Sequence, residues 1–195
     1  MPRVRSRSRP GRRPIASPLR GGALRPVRPA DLPFLLRQRS LLYHDIGGVR
    51  TSTLRHYLPR FRRWFLEEFR AGRLSGYLAL DGRGRPVASA LAWLRPRQPS
   101  PRFPHTSIPY VFSVVTAPAY RRRGLASRLV ARLVSDARAC GYPRVELHAT
   151  EAGRSIYARQ GFRATNEMRL DLLPPAPRRA RDRGLSTRRG SEARR

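Results

Sequence analysis

A chain of 195 residues with 42 basic and 12 acidic side chains has a formal net charge of +30. It is long enough for one domain with a sizeable core. Every basic residue is arginine, which a GC-rich coding bias produces without selection for nucleic acid, so the charge alone implies only salt-sensitive adhesion to polyanions. The single cysteine, Cys140, excludes an intrachain disulfide and a multi-cysteine metal site, and no apolar run reaches the length of a membrane span.

In chain order, residues 1–22 are rich in Arg, Ser and Pro, and residues 174–195 share that composition. Neither segment has the apolar surface to offset ordering entropy, so both are expected to be disordered basic tails around a domain of residues 23–173. Within it, Ala23 to Arg28 reads as a short strand. The following "PADLPFLLRQRSLLYHDIG" reads as a helix, with Pro29 and Asp31 near its start and Leu32, Leu35, Leu36, Leu42 and Tyr43 forming a stripe. A second helix is expected over Thr51 to Arg70, with Pro59 as a kink or break. Leu74 to Leu80 and Val87 to Leu94 form a hairpin about an Asp81-Gly82 turn.

A proline-rich loop, Arg95 to Pro109, precedes "YVFSVVT" (Tyr110 to Thr116), whose β-branched apolar content marks a central strand. Gly124 to Cys140 is a helix, Arg144 to Thr150 a strand, "EAGRSIYARQ" a short helix and "GFRATNEMRLDL" a last strand. The order β-α-α-β-β-β-α-β-α-β describes an α/β domain with a mixed central sheet flanked by helices. Cys140, Trp64 and Trp93 read as packing residues, and His105 as exposed in its loop.

The stretch "APAYRRRGLASRL" carries the chemistry. It joins a strand to a helix, and a helix N-terminus offers unpaired N–H groups and the positive end of the macrodipole, which together bind phosphate. Gly124 and Ala126 keep side chains away from a ligand approaching the backbone, and the arginines radiate outward to assist with charge.

Arg121-x-x-Gly124-x-Ala126 in this context resembles the acyl-CoA-binding motif of the GNAT family of N-acetyltransferases. "VVTAPAY" is similar to the family's strand and Pro-containing turn, and "LHATEAGRSIYARQGF" to its later strand, helix and Tyr-x-x-x-Gly-Phe segment, here Tyr157, Gly161 and Phe162. The N-terminal "LRPVRPADLPFLLRQR" resembles the fold's first strand and helix. The likeness covers about residues 23–172.

The resemblance implies the GNAT fold, with acetyl-CoA as co-substrate and no metal. The acetyl group would pass to a primary amine by direct attack in a ternary complex held where two central strands splay apart at a bulge. It assigns Val114, Val115 and Thr116 to pantetheine pairing, with an N–H near Val115 polarising the thioester carbonyl. Arg121, Arg122, Arg123, Gly124, Leu125, Ala126 and Ser127 form the pyrophosphate loop, and Tyr157 protonates the departing thiolate. Glu146 and His148, two apart and on one face of a strand, are alternative bases for the amine. His44 and Asp45 fall in the region expected to shape the acceptor site. Ala149 and Thr150 stand where many relatives carry asparagine, so that role is not transferred. The expected setting is cytoplasmic, without membrane contact, as a monomer or homodimer. Two rivals remain open: a nucleic-acid-binding protein that grips phosphates through its Arg-rich tails, and an acyl-CoA-binding module that senses without catalysing.

Overall fold

The computed structural model describes residues 23–47, 49–101, 103, 105–168, 170 and 172. The two basic tails, 1–22 and 174–195, lie outside the described residues. Five strands form one sheet in the order β1-β2-β3-β4-β5: β1 (Leu24–Pro26), β2 (Leu74–Leu80), β3 (Pro86–Pro96), β4 (Ser107–Thr116) and β5 (Glu146–Leu147). Neighbours are antiparallel except β4 and β5, which run parallel. The helices are α1 (Leu32–Gly47), α2 (Thr51–Arg70), α3 (Leu125–Ala139) and α4 (Glu151–Ala158).

Alternation along the strands gives the sheet two buried faces. Leu78 and Leu91 point to one and meet Leu32 and Leu35 of α1 with Phe61 and Phe65 of α2. Ala79, Ala90 and Val111 point to the other and meet Leu125, Leu129, Val130 and Leu133 of α3. Leu78, Ala79, Ala90, Leu91, Leu129 and Phe65 are fully buried. The sheet is thus the middle layer of three.

The α/β fold class expected from the sequence is present, and four of its elements differ in detail. Pro59 does not end α2, which runs through it on an exposed side; packing of Leu54, Phe61 and Phe65 outweighs one lost backbone bond. The expected strand over Arg144 to Thr150 shrinks to Glu146–Leu147 because its neighbour turns away. The expected last strand is not formed in residues 162–168. The first turn of the expected first helix is a 3-10 turn, Pro29–Asp31, closed by Asp31 accepting from the Arg28 N–H at 2.8 Å.

Two loop readings also change. Cys140 is exposed at the end of α3 rather than packed. His105 is half-buried, its ring lying between those of Phe103 and Tyr142.

Candidate active site

The site begins where β4 and β5 part. Their pairing consists of Tyr110 opposite Glu146 and Val111 opposite Leu147, after which β4 continues to Thr116 without β5. On its other edge, Phe112 pairs with Leu91 but Val115 with Ser89, so β4 carries one residue more than β3 across this interval. That surplus is a bulge, and bulges bend strands and end pairing. Ser113 sits in it with φ 50°, a left-handed conformation costly for a serine. Arg39 of α1 donates to the Ser113 Oγ, and the Ser89 Oγ donates to the Ser113 carbonyl at 3.4 Å. A cleft of about 1750 Å³ opens there, walled by β4, the start of α3, residues 148–153, and α1 with α2.

The α3 end of the cleft is built from backbone. Gly124 caps the helix with φ 74°, and no side chain caps its N–H groups. The first helical bond in this turn runs from the Arg128 N–H to the Gly124 carbonyl, so the N–H groups of Leu125, Ala126 and Ser127 precede the helix's own acceptors. Arg122 also has positive φ, 61°. A Cβ built on Gly124 would meet no protein atom within 4 Å. The glycine is therefore required by conformation and faces open space.

Of the expected loop residues, Arg121, Arg122, Gly124, Leu125, Ala126 and Ser127 line the cleft, and Arg123 does not. Arg123 instead donates to the Ala119 carbonyl and lies over the Tyr120 ring. Arg121 bridges the two halves of the site: it donates to the Thr116 carbonyl at 3.1 Å and to Asp45 at 2.5 Å. Val114, Val115 and Thr116 line the cleft from β4, and the Thr116 Oγ1 is buried there without a hydrogen-bond partner.

Tyr157 enters from α4, whose N-terminus is capped by Thr150 accepting from the Gly153 N–H at 3.1 Å. Its ring packs edge-on against Phe162 with centroids 6.0 Å apart, and its hydroxyl has no partner among the described residues. Burial pushes the phenol's pKa upward, which keeps it a proton donor at neutral pH.

Glu146 and His148 separate in role. Glu146 is held by Arg95, lies 4.0 Å from Arg144 and does not line the cleft. His148 does line it, and its Nδ1 is hydrogen-bonded to the Tyr110 hydroxyl. Burial raises the Tyr110 pKa, a change that the nearby Arg95 opposes. Asp45 lines the cleft, whereas His44 is exposed outside it.

Residue-by-residue reading overlooked the centre of the α1–α2 wall. Arg39 donates to the hydroxyls of Tyr57 and Tyr43 besides Ser113, and its guanidinium faces the Phe61 ring at 4.3 Å. Burial, then the Tyr43 contact, pushes the Tyr57 pKa up to about 12, against the effect of Arg39. Trp64 and Trp93, expected as packing, meet edge-on and line the cleft as well; the Trp93 indole donates to Glu68 at 2.7 Å. Ser113, a lone polar residue inside "YVFSVVT", was the available sign of the bulge. Arg39, one arginine among many, carried none.

Among the described residues no helix is long and apolar enough to cross a membrane. No group of three or more His, Cys, Asp or Glu in those residues could hold a metal ion.

Comparison with known proteins gives the arrangement its kinship. The family model described as the acetyltransferase (GNAT) family matches residues 42–162. A GCN5-related N-acetyltransferase from Ralstonia eutropha JMP134 superposes with a TM-score of 0.70 at 28% identity, covering 77% of this chain and 97% of that one. A predicted acetyltransferase with acetyl-CoA from Clostridium acetobutylicum has the same TM-score, 0.70, at 22% identity, over 77% of this chain and 96% of that one, a likeness of fold. An acetyltransferase from Trypanosoma brucei gives 0.54 at 26% identity, over 77% and 99%. No curated protein matches the chain. The strand gap, the uncapped helix start and the matched 42–162 segment agree, and the chain belongs to the GNAT family of acetyltransferases.

Proposed function

We propose that this chain is an N-acetyltransferase that moves the acetyl group of acetyl-CoA to a primary amine by direct attack in a ternary complex. The observation that carries the reading is the meeting of an uncapped helix start with the opening between β4 and β5. The residues fit the co-substrate: N–H groups at the start of α3 and the guanidinium of Arg122, which lines the cleft without a partner among the described residues, suit a pyrophosphate. The Thr116 Oγ1, buried without a partner among the described residues, offers a polar contact beside the edge of β4 that β5 leaves open. Bound acetyl-CoA supplies an activated thioester, and the chain's residues do the rest.

The Val115 region of β4 donates an N–H toward the carbonyl oxygen. Tyr157 donates its proton to the departing sulfur, which its raised pKa keeps available. Because Arg95 neutralises Glu146, the amine's proton goes to His148. The tautomer that gives its Nδ1–H to the Tyr110 oxygen leaves Nε2 to accept, through water. Asp45 holds Arg121 across the cleft, a positioning role for both.

Calorimetric titration of acetyl-CoA, followed by turnover with an amine panel, tests the reading and separates an enzyme from a sensor. Gly124→Glu is the control: it sets bulk and negative charge at the α3 start. Its expected result is loss of acetyl-CoA binding with an unchanged circular dichroism spectrum; unaltered affinity in the folded variant would exclude this loop as the pyrophosphate site.

A further inference from the structure

The acceptor half of the cleft is cationic and aromatic, and its carboxylates are already taken. Asp45 is bound by Arg121, Glu146 by Arg95, and Glu68 by Arg73 and Trp93. Glu151, on the rim, lies 3.4 Å from Arg154 and is 89% exposed. Glu167 stands outside the lining, 67% exposed and 3.9 Å from the His148 Nε2. A polycationic amine entering this space would therefore meet no unpaired carboxylate on the α1–α2 wall among the described residues.

Arg39 is the opposite case. It is a half-buried guanidinium whose partners among the described residues are three hydroxyls and the faces of aromatic rings. None of these is an anion: the Tyr57 phenol, pushed up to about 12, is neutral at physiological pH. Ring faces offset part of the cost of removing a cation from water, but a desolvated charge is satisfied fully only by an opposite charge with good hydrogen-bond geometry. Three of Arg39's five N–H groups are used, so two remain for a ligand. Arg60 lines the same wall, exposed and without a partner among the described residues. Trp64, Trp93 and Phe112 offer an apolar surface beside these cations.

We propose that the acceptor is a small primary amine that also bears a carboxylate and an aromatic or large apolar body, an apolar α-amino acid in class, with its carboxylate held by Arg39. The place of Arg39 beside the bulge favours this class. Arg39 is anchored to Ser113, the residue at the apex of the bulge. A carboxylate there brings an amine one carbon away to the part of β4 that faces the reacting acetyl group. The proposal rests on the acetyl-transfer reading above and deepens it.

The test compares L-phenylalanine, L-phenylalaninamide and phenethylamine as acceptors, with kcat/KM corrected to the free-base amine. L-Phenylalanine is expected to exceed the other two by about 10- to 100-fold, the range of a charge-assisted hydrogen-bonded pair. Arg39→Met should erase the advantage of L-phenylalanine over phenethylamine, read as the ratio of their kcat/KM values within the variant so that any general effect through Ser113 cancels, and Arg39→Lys should restore part of that ratio. Should Arg39→Met fail to fold, Arg60→Met supplies the same comparison with a smaller loss. Equal rates for the three amines, or a preference for the amide, overturn the carboxylate assignment and leave acetyl transfer standing. Absence of acetyl-CoA binding overturns the acetyl-transfer reading instead. Where none of the three is acetylated, titration with N-acetyl-L-phenylalanine decides. Binding that is lost in the Arg39 variant supports the proposal, and no binding to the wild-type protein overturns it.

Discussion

Tyr157 is the residue whose surroundings bear most directly on chemistry. It lines the cleft, its ring is fixed against Phe162, and its hydroxyl has no partner among the described residues. Removing that hydroxyl alone, Tyr157→Phe, leaves the packing intact, so melting temperature and acetyl-CoA affinity should hold. The turnover number should fall about 10²- to 10⁴-fold, as for a lost general acid. Burial raises the phenol's pKa, so the acid form persists up to and beyond the ordinary tyrosine range near 10. Activity that depends on it is present below the raised value and is lost only as pH climbs through it. A rate profile in the accepted amine should therefore show no falling limb from this group below about pH 10, and Tyr157→Phe should flatten whatever limb appears above. Tyr157 was legible because its position after a strand and before Gly161-Phe162 is a sequence pattern. Arg39 was not: what distinguishes it is the company of Tyr43, Tyr57 and Ser113, brought together by folding from three elements. Glu146 shows the converse failure. Its spacing from His148 was read correctly, yet Arg95, from a different strand, claims its carboxylate.

At the scale of elements, periodicity identified the four helices and the central strands, and missed the places where a neighbour decides. β5 has apolar and β-branched residues enough for a longer strand, but a strand exists only as far as its partner accompanies it. The β4 bulge ends that company after Val111 and Leu147. The same competition between local and tertiary terms explains Pro59. Inside a helix, proline removes one backbone bond and crowds the preceding turn, about 3 kcal/mol relative to alanine. The buried Phe61 and Phe65 that follow keep the chain helical past it. Since Pro59 is exposed, Pro59→Ala should restore the bond without disturbing the core. Reduced stiffness of the unfolded chain offsets roughly 0.4–1 kcal/mol of that gain, leaving a net stabilisation of about 2 kcal/mol. Chemical denaturation should show a higher midpoint at an unchanged slope; a lower midpoint would mean that the ring itself is part of the packing against α1.

For the whole molecule, scarcity of acid is the governing electrostatic fact: 12 carboxylate side chains face 42 arginines. Among the described residues, those whose pKa values shift are fastened to the fold. Asp31 accepts two hydrogen bonds from Arg25 and caps the turn before α1. Glu68 joins Arg73 to Trp93, tying the end of α2 to β3. Asp81 closes the β2–β3 connection by accepting from the Arg83 and Arg85 N–H groups, and it also takes the Tyr120 hydroxyl, which lies next to the α3 loop. In each case hydrogen bonds to the charged form hold the carboxyl below its ordinary value: from Arg25 for Asp31, from Arg73 for Glu68, and from the Arg85 backbone and side chain for Asp81. A folded-state pKa below the unfolded one contributes stability that is complete above the unfolded value, near 4 for these groups. That contribution drains away as pH falls from there toward the folded value. Every proton taken up also adds to a charge that is already +30, so self-repulsion grows in the same window. The melting temperature should accordingly be flat from pH 7 to about 5 and decline between about 4 and 2. The exposed partners screen these pairs from one another, so the loss should be gradual and salt-dependent rather than a single step. Asp81→Asn keeps the turn's size but cannot ionise. It should lower the melting temperature at pH 7 and flatten the decline below pH 4, so that the two curves converge in acid; parallel curves across the whole range would show that Asp81's charge contributes nothing to the fold.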